Sequence, residues 1–198
     1  MRDHEEQTRR RFLGSGIAAT GLALVLPDIA IGQQLSPTPE CKDSHEPTIR
    51  QTEGPFFKPR SPQRSDLRES GFTGKPIVIS GFVLTRGCRP LANALVDLWH
   101  ADGAGEYDNK GFRGRGHLFT DSEGRYQFTT IEPARYPGRT RHYHVKVQAA
   151  NRPVLTTQLY FPNEPGNDRD PIFRKELLMR PAGGAPPGTR FDFVLDIA

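Results

Sequence analysis

The sequence is poor in cysteine, methionine and tryptophan, and it has no long uninterrupted apolar segment. Its 198 residues include two cysteines, two methionines and one tryptophan. Two cysteines are too few for the framework of a small disulfide-rich protein. Charge of one sign does not dominate either, because the chain has 27 basic and 23 acidic residues. The basic residues are scattered and mixed with acids rather than gathered into a stripe interleaved with aromatics, so nucleic acid is not an expected partner.

The first 32 residues are typical of an export signal rather than of a folded element. They begin with an arginine cluster, continue with a run of glycine, alanine and leucine, and end at small residues near Gly32. Arg9 and Arg10 resemble the arginine pair of a twin-arginine signal. Glycines and Pro27 interrupt the apolar run before it reaches the ~20 residues that a membrane span needs, so an uncleaved anchor is the weaker alternative. We therefore expect an exported, periplasmic or extracellular protein without a stable membrane span after processing.

Cys41 and Cys88 both lie beyond the predicted signal. In an exported chain such a pair favours a disulfide, which would join the N-terminal arm to the body of the protein. The alternative is a soft-metal site, although neither cysteine has the paired spacing that such sites use.

Beyond the signal, the chain divides into a polar arm and a body of short strands. Residues 33–75 are polar and proline-rich, which predicts an extended arm. Residues 76–198 are predicted to form an all-β sandwich of short, mostly antiparallel strands with long loops around the site. The predicted strands, each bounded by Gly, Pro, Asn or Asp, are 77–84, 94–101, 117–120, 125–130, 142–149, 155–161 and 190–197. Helix is nearly absent: only Asp170 and Pro171 supply an N-cap and a first helical position for one or two turns.

Residues 139–147 read RTRHYHVKV and place two histidines on one predicted strand. Side chains two apart on a strand project to the same face, so His142 and His144 lie together while Tyr143 points away. The pair suits two ligands of one metal ion, and it also suits a half-exposed polar face. Tyr136 lies six residues before His142, in a loop bounded by prolines. A phenol has a pKa near 10 and needs an adjacent cation to lose its proton at pH 7, so a tyrosine ligand beside two imidazoles favours ferric iron.

Several segments, taken together and in order, resemble the intradiol ring-cleavage dioxygenases, the family of protocatechuate 3,4-dioxygenase. The resemblance covers residues 50 to 165 or so, most of the chain beyond the predicted signal. The matching segments are GPFF at 54–57, VDLWHADGAGEYD at 96–108, FTDSEGRYQFTTIEPARYPGR at 119–139, HYH at 142–144 and TQLYF at 157–161.

The resemblance implies a set of functional residues. One non-heme ferric ion per chain would be held by two tyrosines and two histidines, with hydroxide or water in a fifth position. The implied ligands are Tyr107, Tyr136, His142 and His144. Arg139 would stabilise negative charge on the activated substrate, and Gln158 would help to position the ring. Gly54 and Pro55, in the first matching segment, are candidates for the substrate pocket.

The implied reaction opens the ring of a catechol between its two hydroxylated carbons, with dioxygen as the second substrate. Substrate binding would displace Tyr136 and hydroxide from the metal, and each would leave with a proton. The expected product is a muconate-type dicarboxylate that contains both oxygen atoms. A counterpart of the long N-terminal helical segment of the catechol and hydroxyquinol members is not expected, so the resemblance is closer to a single catalytic body of the protocatechuate kind. The sequence leaves the oligomeric state open, with a homo-oligomer as one alternative.

Two other functions remain open on the sequence alone. One is a secreted β-sandwich that binds a ligand such as a polysaccharide, and the other is a periplasmic copper or zinc protein that uses only His142 and His144. Thr140 and Arg141 depart from the family pattern, and Arg141 is either a surface residue or a binding group for a substrate carboxylate. Four further residues are expected to serve structure rather than chemistry: Tyr126, Tyr143, Tyr160 and His100.

Overall fold

The protein is built almost entirely from short strands, in a computed structural model that describes residues 46–198. The predicted export signal, Cys41 and residues 33–45 of the arm lie outside the described residues. The strands are β1 (Pro76–Leu84), β2 (Leu95–Trp99), β3 (Arg115–Phe119), β4 (Arg125–Ile131), β5 (His142–Gln148), β6 (Leu155–Tyr160), β7 (Arg180–Ala182), β8 (Gly188–Arg190) and β9 (Phe193–Val194). Two 3₁₀ turns, Asn167–Arg169 and Lys175–Leu177, are the helical elements of this part of the chain. None of its helices has the length and apolar character that crossing a membrane would require.

The strands form two sheets. One sheet has the order β3-β2-β5-β6 and is antiparallel throughout. The other has the order β4-β1-β8-β7, with β9 also paired to β1. Here β1 is antiparallel to β4 but parallel to β8 and β9. The predicted all-β, mostly antiparallel architecture is therefore confirmed.

The core lies between the two sheets and follows the period-two alternation of the strands. In β1 the side chains of Ile77, Ile79 and Val83 are buried, while those of Val78, Ser80 and Phe82 are more exposed. Val145 and Val147 of β5 enter the same core, and they alternate with residues of the opposite face. Because β5 has its apolar set on one face, His142 and His144 are directed to the outer face of the β3-β2-β5-β6 sheet.

The described part of the arm covers sheet edges. The backbone N–H of Gln51 donates to β6, that of Arg64 donates to β3, and that of Leu67 donates to β4. Exposed edges are sites of unwanted pairing, and these contacts occupy them. The arm therefore crosses from one edge of the β3-β2-β5-β6 sheet to the other and covers its outer face.

Two expectations for the C-terminal part of the fold were wrong. The predicted helix after Asp170 does not form: the segment contains one 3₁₀ turn, and the backbone N–H of Met179 donates to the carbonyl of Tyr160 at 2.9 Å, which keeps the segment extended. The predicted strand 190–197 is divided into β8 and β9. Residues 191 and 192 separate them, although the carbonyl of Ser80 accepts the N–H of Phe191 at 3.0 Å and both strands pair with β1.

Candidate metal centre

A row of functional side chains crosses all four strands of the β3-β2-β5-β6 sheet. Strand register pairs Arg115 with Trp99, Trp99 with His144, and His144 with Gln158. Residues opposite one another in neighbouring strands share a face, so these four side chains lie side by side on the outer face. His142 lies at the end of the next row, opposite Tyr160. The strand pairing therefore assembles the floor of the site.

The two histidines direct their Nε2 atoms at each other across 3.1 Å. The Nδ1 atom of His142 lies 2.7 Å from the carbonyl oxygen of Thr140, which places the proton on Nδ1 and leaves a lone pair on Nε2. Burial, together with the nearby Arg139, lowers the pKa of His142 to about 4. Burial and the neighbouring His142 lower the pKa of His144 well below its usual value. Both imidazoles are therefore neutral at pH 7, as metal ligands must be.

Tyr107 lies on the loop between β2 and β3, and two aspartates shape this loop. Asp102 Oδ1 accepts the N–H groups of residues 104 and 106, and Asp108 accepts those of residues 110, 111 and 113. The Tyr107 ring stacks on Phe56 with centroids 4.4 Å apart, and its centroid is 6.1 Å from that of His144. Its hydroxyl is buried and has no hydrogen-bond partner among the described residues. Burial and the neighbouring Tyr136 raise the pKa of Tyr107.

Tyr136 begins a tight turn that ends at Arg139, whose backbone N–H donates to the Tyr136 carbonyl at 3.0 Å. Gly138 has a φ of +80°, which a glycine adopts without steric cost, and its position suits the third residue of such a turn. The turn brings the Tyr136 ring within 5.5 Å of the His142 ring and within 6.0 Å of the Tyr107 ring, as measured between centroids. The predicted ligands thus converge from one strand and two loops.

Arg139 is fixed at three points by its guanidinium group. Nη1 donates to the Tyr136 hydroxyl at 3.3 Å, Nη2 donates to Gln158 Oε1 at 2.5 Å, and Nε donates to Asp170 Oδ2 at 2.9 Å. Gln158 is fully buried, and its amide nitrogen donates to the arm at Thr52. Both residues that the resemblance singled out beside the ligands therefore lie in the site and contact each other.

The four predicted ligands fit a bound metal ion. Two nitrogens about 2.1 Å from one ion are separated by roughly 3 Å, close to the distance between the two Nε2 atoms. The buried Tyr107 hydroxyl adds an oxygen atom that can bind a metal, and it has no hydrogen-bond partner among the described residues. No group of three or more His, Cys, Asp or Glu in residues 46–198 is placed to hold a metal. A site at His142 and His144 therefore needs the tyrosine oxygens, and a donor set of imidazole and phenolate suits ferric iron.

The arm supplies one wall of the site. A Cβ built on Gly54 would lie 3.1 Å from Cε1 of His144, and the φ of Gly54 is +71°, so a glycine fits here both sterically and conformationally. Pro55, the other predicted pocket residue, is exposed on the arm beside it. Phe56 stacks on Tyr107 and makes an edge contact with Tyr136 at 6.3 Å.

Arg115 was not among the predicted site residues. It is 1% exposed, and its guanidinium lies 5.9 Å from the centre of the Tyr107 ring. Nη1 donates to the carbonyl of Phe56 at 2.6 Å, and Nε donates to that of Asp108 at 3.2 Å, so Arg115 links the arm to the Tyr107 loop. Its alignment with His144 depends on the register of three strands, and no local pattern in the sequence marks it.

The four residues expected to serve structure are all buried. The Tyr126 hydroxyl donates to the Phe191 carbonyl, and the Tyr143 hydroxyl donates to the Ile131 carbonyl, both within the core. His100 is fully buried between Ala101 and Thr130, and it is no part of the site. Tyr160 belongs to the buried hydrophobic cluster, as expected, and it also borders the site. Its ring is buried on the outer face beside His142, and its hydroxyl lies 3.1 Å from Gln158 Oε1.

The two departures from the family pattern are engaged in structure. The Thr140 hydroxyl donates to Asn167 at 2.8 Å, and its backbone N–H donates to Asp170 at 3.0 Å. Arg141 forms ion pairs with Glu132 and Glu164. Its charge is therefore balanced within the protein, which favours the structural alternative over a substrate-binding one.

The predicted disulfide involves one described residue. Cys88 is not a free thiol. Cys41 lies outside the described residues, so its pairing with Cys88 stays a prediction.

A β-sandwich whose outer face brings two histidines and two tyrosines together defines a narrow class of protein, and comparison with known proteins agrees. The dioxygenase family model matches residues 52–196. The beta chain of protocatechuate 3,4-dioxygenase from Burkholderia cepacia is 39% identical over 121 residues, which cover 51% of each chain. Among solved structures, the dioxygenase domain of a dioxygenase and carbohydrate-binding protein fusion from Streptomyces sp. SirexAA-E is 52% identical with a TM-score of 0.74, over 77% of this chain and 100% of that one. The 3-chlorocatechol 1,2-dioxygenase of Rhodococcus opacus 1CP is 28% identical with a TM-score of 0.70, over 76% and 73% of the two chains.

The chain therefore belongs to the dioxygenase family, and at that level the resemblance expected from its sequence is confirmed. It spans about half to three fifths of the length of the curated relatives that it matches first.

Proposed function

We propose that the protein is a non-heme Fe(III) dioxygenase that cleaves the ring of a catechol between its two hydroxylated carbons, with dioxygen as co-substrate and a cis,cis-muconate-type dicarboxylate as product. One observation carries the proposal. Two neutral imidazole nitrogens 3.1 Å apart, a buried tyrosine hydroxyl and a second tyrosine held by an arginine all converge at one place. Four donors of these types in one pocket favour a ferric ligand set over a simple polar face.

His142, His144, Tyr107 and Tyr136 would hold the ion. When bound, ferric iron would supply a Lewis-acid centre at which a catechol loses both protons and its ring becomes open to dioxygen. The two tyrosines face different surroundings. Tyr107 is confined between Phe56 and the loop that carries it, whereas Tyr136 lies in a short turn and contacts Arg139.

Tyr136 is the better placed of the two to move a proton. Its oxygen atom accepts a hydrogen bond from Arg139 Nη1, and Tyr136 itself lies in the turn that contains Gly138. In the proposed reaction the Tyr136 oxygen takes up a proton from one catechol hydroxyl as the substrate enters. General acid–base groups of this kind contribute about 10²- to 10⁴-fold to rate.

Arg139 is the charge-stabilising group. Nη1 and Nη2 point toward the Tyr136 oxygen and Gln158, so the positive charge faces the position that the substrate ring would take. A preorganised cation in a buried site stabilises developing negative charge with little reorganisation. Gln158, held by Thr52 and Arg139, keeps that side of the pocket in place.

Visible spectroscopy and oxygen uptake test the proposal. Iron-loaded protein is expected to show a strong tyrosinate-to-iron charge-transfer band and to consume oxygen with at least one member of a panel of catechols. A protein that binds copper or zinc through the two histidines alone would be colourless with zinc and would lack this band with iron. A sandwich that only binds ligands would retain no stoichiometric iron, and either result would overturn the proposal.

We also propose, from residues 1–32, that the protein is exported by a twin-arginine-type route. A folded protein that already carries its metal suits such a route. Replacing Arg9 and Arg10 with lysine is expected to leave the protein in the cytoplasm of a bacterial host, and unchanged fractionation would contradict the proposal.

A further inference from the structure

Asp170 is a buried carboxylate with no role in the ligand set, and it lies directly behind Arg139. Its side chain is fully buried, whereas that of Arg139 is 14% exposed. Asp170 Oδ2 accepts Arg139 Nε at 2.9 Å, and the same oxygen accepts the backbone N–H of Thr140 at 3.0 Å. Asp170 Oδ1 accepts the N–H of Ile172 at 3.0 Å. Two backbone donors therefore fix the carboxylate independently of its contact with the guanidinium.

This arrangement determines which way the guanidinium faces. A guanidinium is planar and carries its donors in a rigid fork, so fixing Nε fixes the directions of Nη1 and Nη2 as well. With Nε on Asp170, Nη1 meets the Tyr136 hydroxyl and Nη2 meets Gln158. Without the carboxylate, a long arginine side chain has many rotamers available.

We propose that Asp170 is a positioning residue for the reaction: it holds Arg139 in the single orientation in which both Nη atoms face the substrate pocket. The inference rests on the proposed function, because it assigns Arg139 the charge-stabilising role there. Asp170 itself acts through Arg139. The proposal also gives Thr140 a structural role, because its backbone N–H helps to fix the Asp170 carboxylate.

The test combines Asp170→Asn with a matched control in the iron-loaded enzyme. Asp192 offers the control because it too accepts a backbone N–H, that of Phe82, and the guanidinium of Arg190, but in the other sheet. Asp170→Asn is expected to lower kcat about 10- to 100-fold, the usual effect of removing an orienting partner. KM should change little, because an interaction that acts on the transition state leaves ground-state binding intact. Asp192→Asn should leave both parameters at wild-type values.

Three further measurements separate positioning from a general structural effect. The anaerobic affinity for catechol, followed by the change in the visible band, should be alike in wild type and Asp170→Asn. In an Arg139→Gln background, Asp170→Asn should cause no further loss of kcat, because a residue that acts through Arg139 has nothing left to position. Arg139→Lys should lower kcat to a similar extent, because the single nitrogen of lysine cannot contact Asp170, Tyr136 and Gln158 at once. This variant replaces Asp170→Asn as the test if Asp170→Asn does not fold.

Several results would overturn the inference while leaving the proposed function intact. These are a kcat within about twofold of wild type in folded Asp170→Asn, an additive loss in the Arg139→Gln background, or wild-type turnover in Arg139→Lys. An inactive, iron-loaded wild type would instead refute the proposed function.

Discussion

His142 and His144 present their Nε2 atoms to each other at 3.1 Å on the outer face of β5. Two nitrogen lone pairs that face each other at this distance cannot form a hydrogen bond with each other, because neither nitrogen would supply a proton. The geometry suits two ligands of one ion. His144 stacks on Trp99 at 5.0 Å, with the rings 9° from parallel, while the Nδ1 atom of His142 is anchored by the Thr140 carbonyl. The pair is therefore held in place by the protein rather than by a metal alone.

Replacing either histidine with alanine is expected to abolish stoichiometric iron. One lost ligand leaves a site of three, and metal affinity depends on ligand number. The measurement is iron content after loading and gel filtration. His117→Ala is the control, since His117 lies on β3 and contacts Ser61 rather than the site. Full iron content in either variant of the pair would contradict the assignment.

Tyr136→Phe is expected to reduce turnover by roughly 100-fold or more, because it removes the oxygen that accepts the catechol proton. The variant also loses one of the four proposed ligands, so iron binding should be weaker, turnover is expressed per bound iron, and the charge-transfer band should be weaker. Tyr126→Phe is the matched control. It removes a core hydroxyl that donates to Phe191, and it should lower the free energy of unfolding by about 1 kcal/mol without changing kcat. Equal turnover in the two variants would contradict a role for Tyr136.

Gly54→Ala is expected to weaken iron binding. The new methyl group would lie 3.1 Å from Cε1 of His144, and a non-glycine residue at a φ of +71° costs roughly 1–2 kcal/mol. Gly71→Ala controls for the backbone cost, since its φ is +76° but its nearest neighbour is the flexible end of Arg113 at 3.3 Å. Competition with a chelator measures the affinity. The account would be wrong about Gly54 if both variants bound iron equally well.

The free energy of unfolding should decrease as the pH falls from about 6.5 to 4. Burial lowers the pKa of His100 to about 4, and the unfolded chain takes up its proton nearer 6.5. The contribution of neutral His100 to the free energy of unfolding is complete above pH 6.5 and decreases as the pH falls toward 4. The total loss is up to about 3 kcal/mol, at 1.36 kcal/mol per pKa unit. Denaturant unfolding of iron-loaded wild type and His100→Gln measures the effect. The glutamine variant should show a smaller slope in this pH range, and identical slopes would exclude His100 as the cause.

Much of the fold is predictable from the sequence because its information is local. The alternation of Ile77, Ile79 and Val83 indicates a half-buried strand, and β1 follows it closely. The parallel pairing of β8 with β1 is a contact between distant segments, and a three-residue strand carries no periodic signal. The helix expected after Asp170 illustrates the same limit. Asp170 accepts the N–H of Ile172, as an N-cap does, but its carboxylate also binds Arg139, and the chain continues into one 3₁₀ turn at Lys175–Leu177.

The site, like the fold, has residues that the sequence predicts and residues that it does not. The proposed ligands are predictable because their residue types and the family segments that contain them are present in the sequence, and the HxH spacing on β5 brings two of them to one face. Arg115 and Asp170 are not predictable. One is aligned with His144 by the register of neighbouring strands, and the other meets Arg139 across 31 residues of chain. The residues that support the ligands are thus a property of the folded structure rather than of any motif.

Product analysis under ¹⁸O₂ tests the central claim most directly. Iron-loaded protein is incubated with the catechol that gives the fastest oxygen uptake, and the product is examined by mass spectrometry. The account predicts a muconate-type dicarboxylate that carries both labelled atoms, formed in a ratio of one to one with the oxygen consumed. A ring opened outside the two hydroxylated carbons, a quinone without label, or no product at all would contradict it.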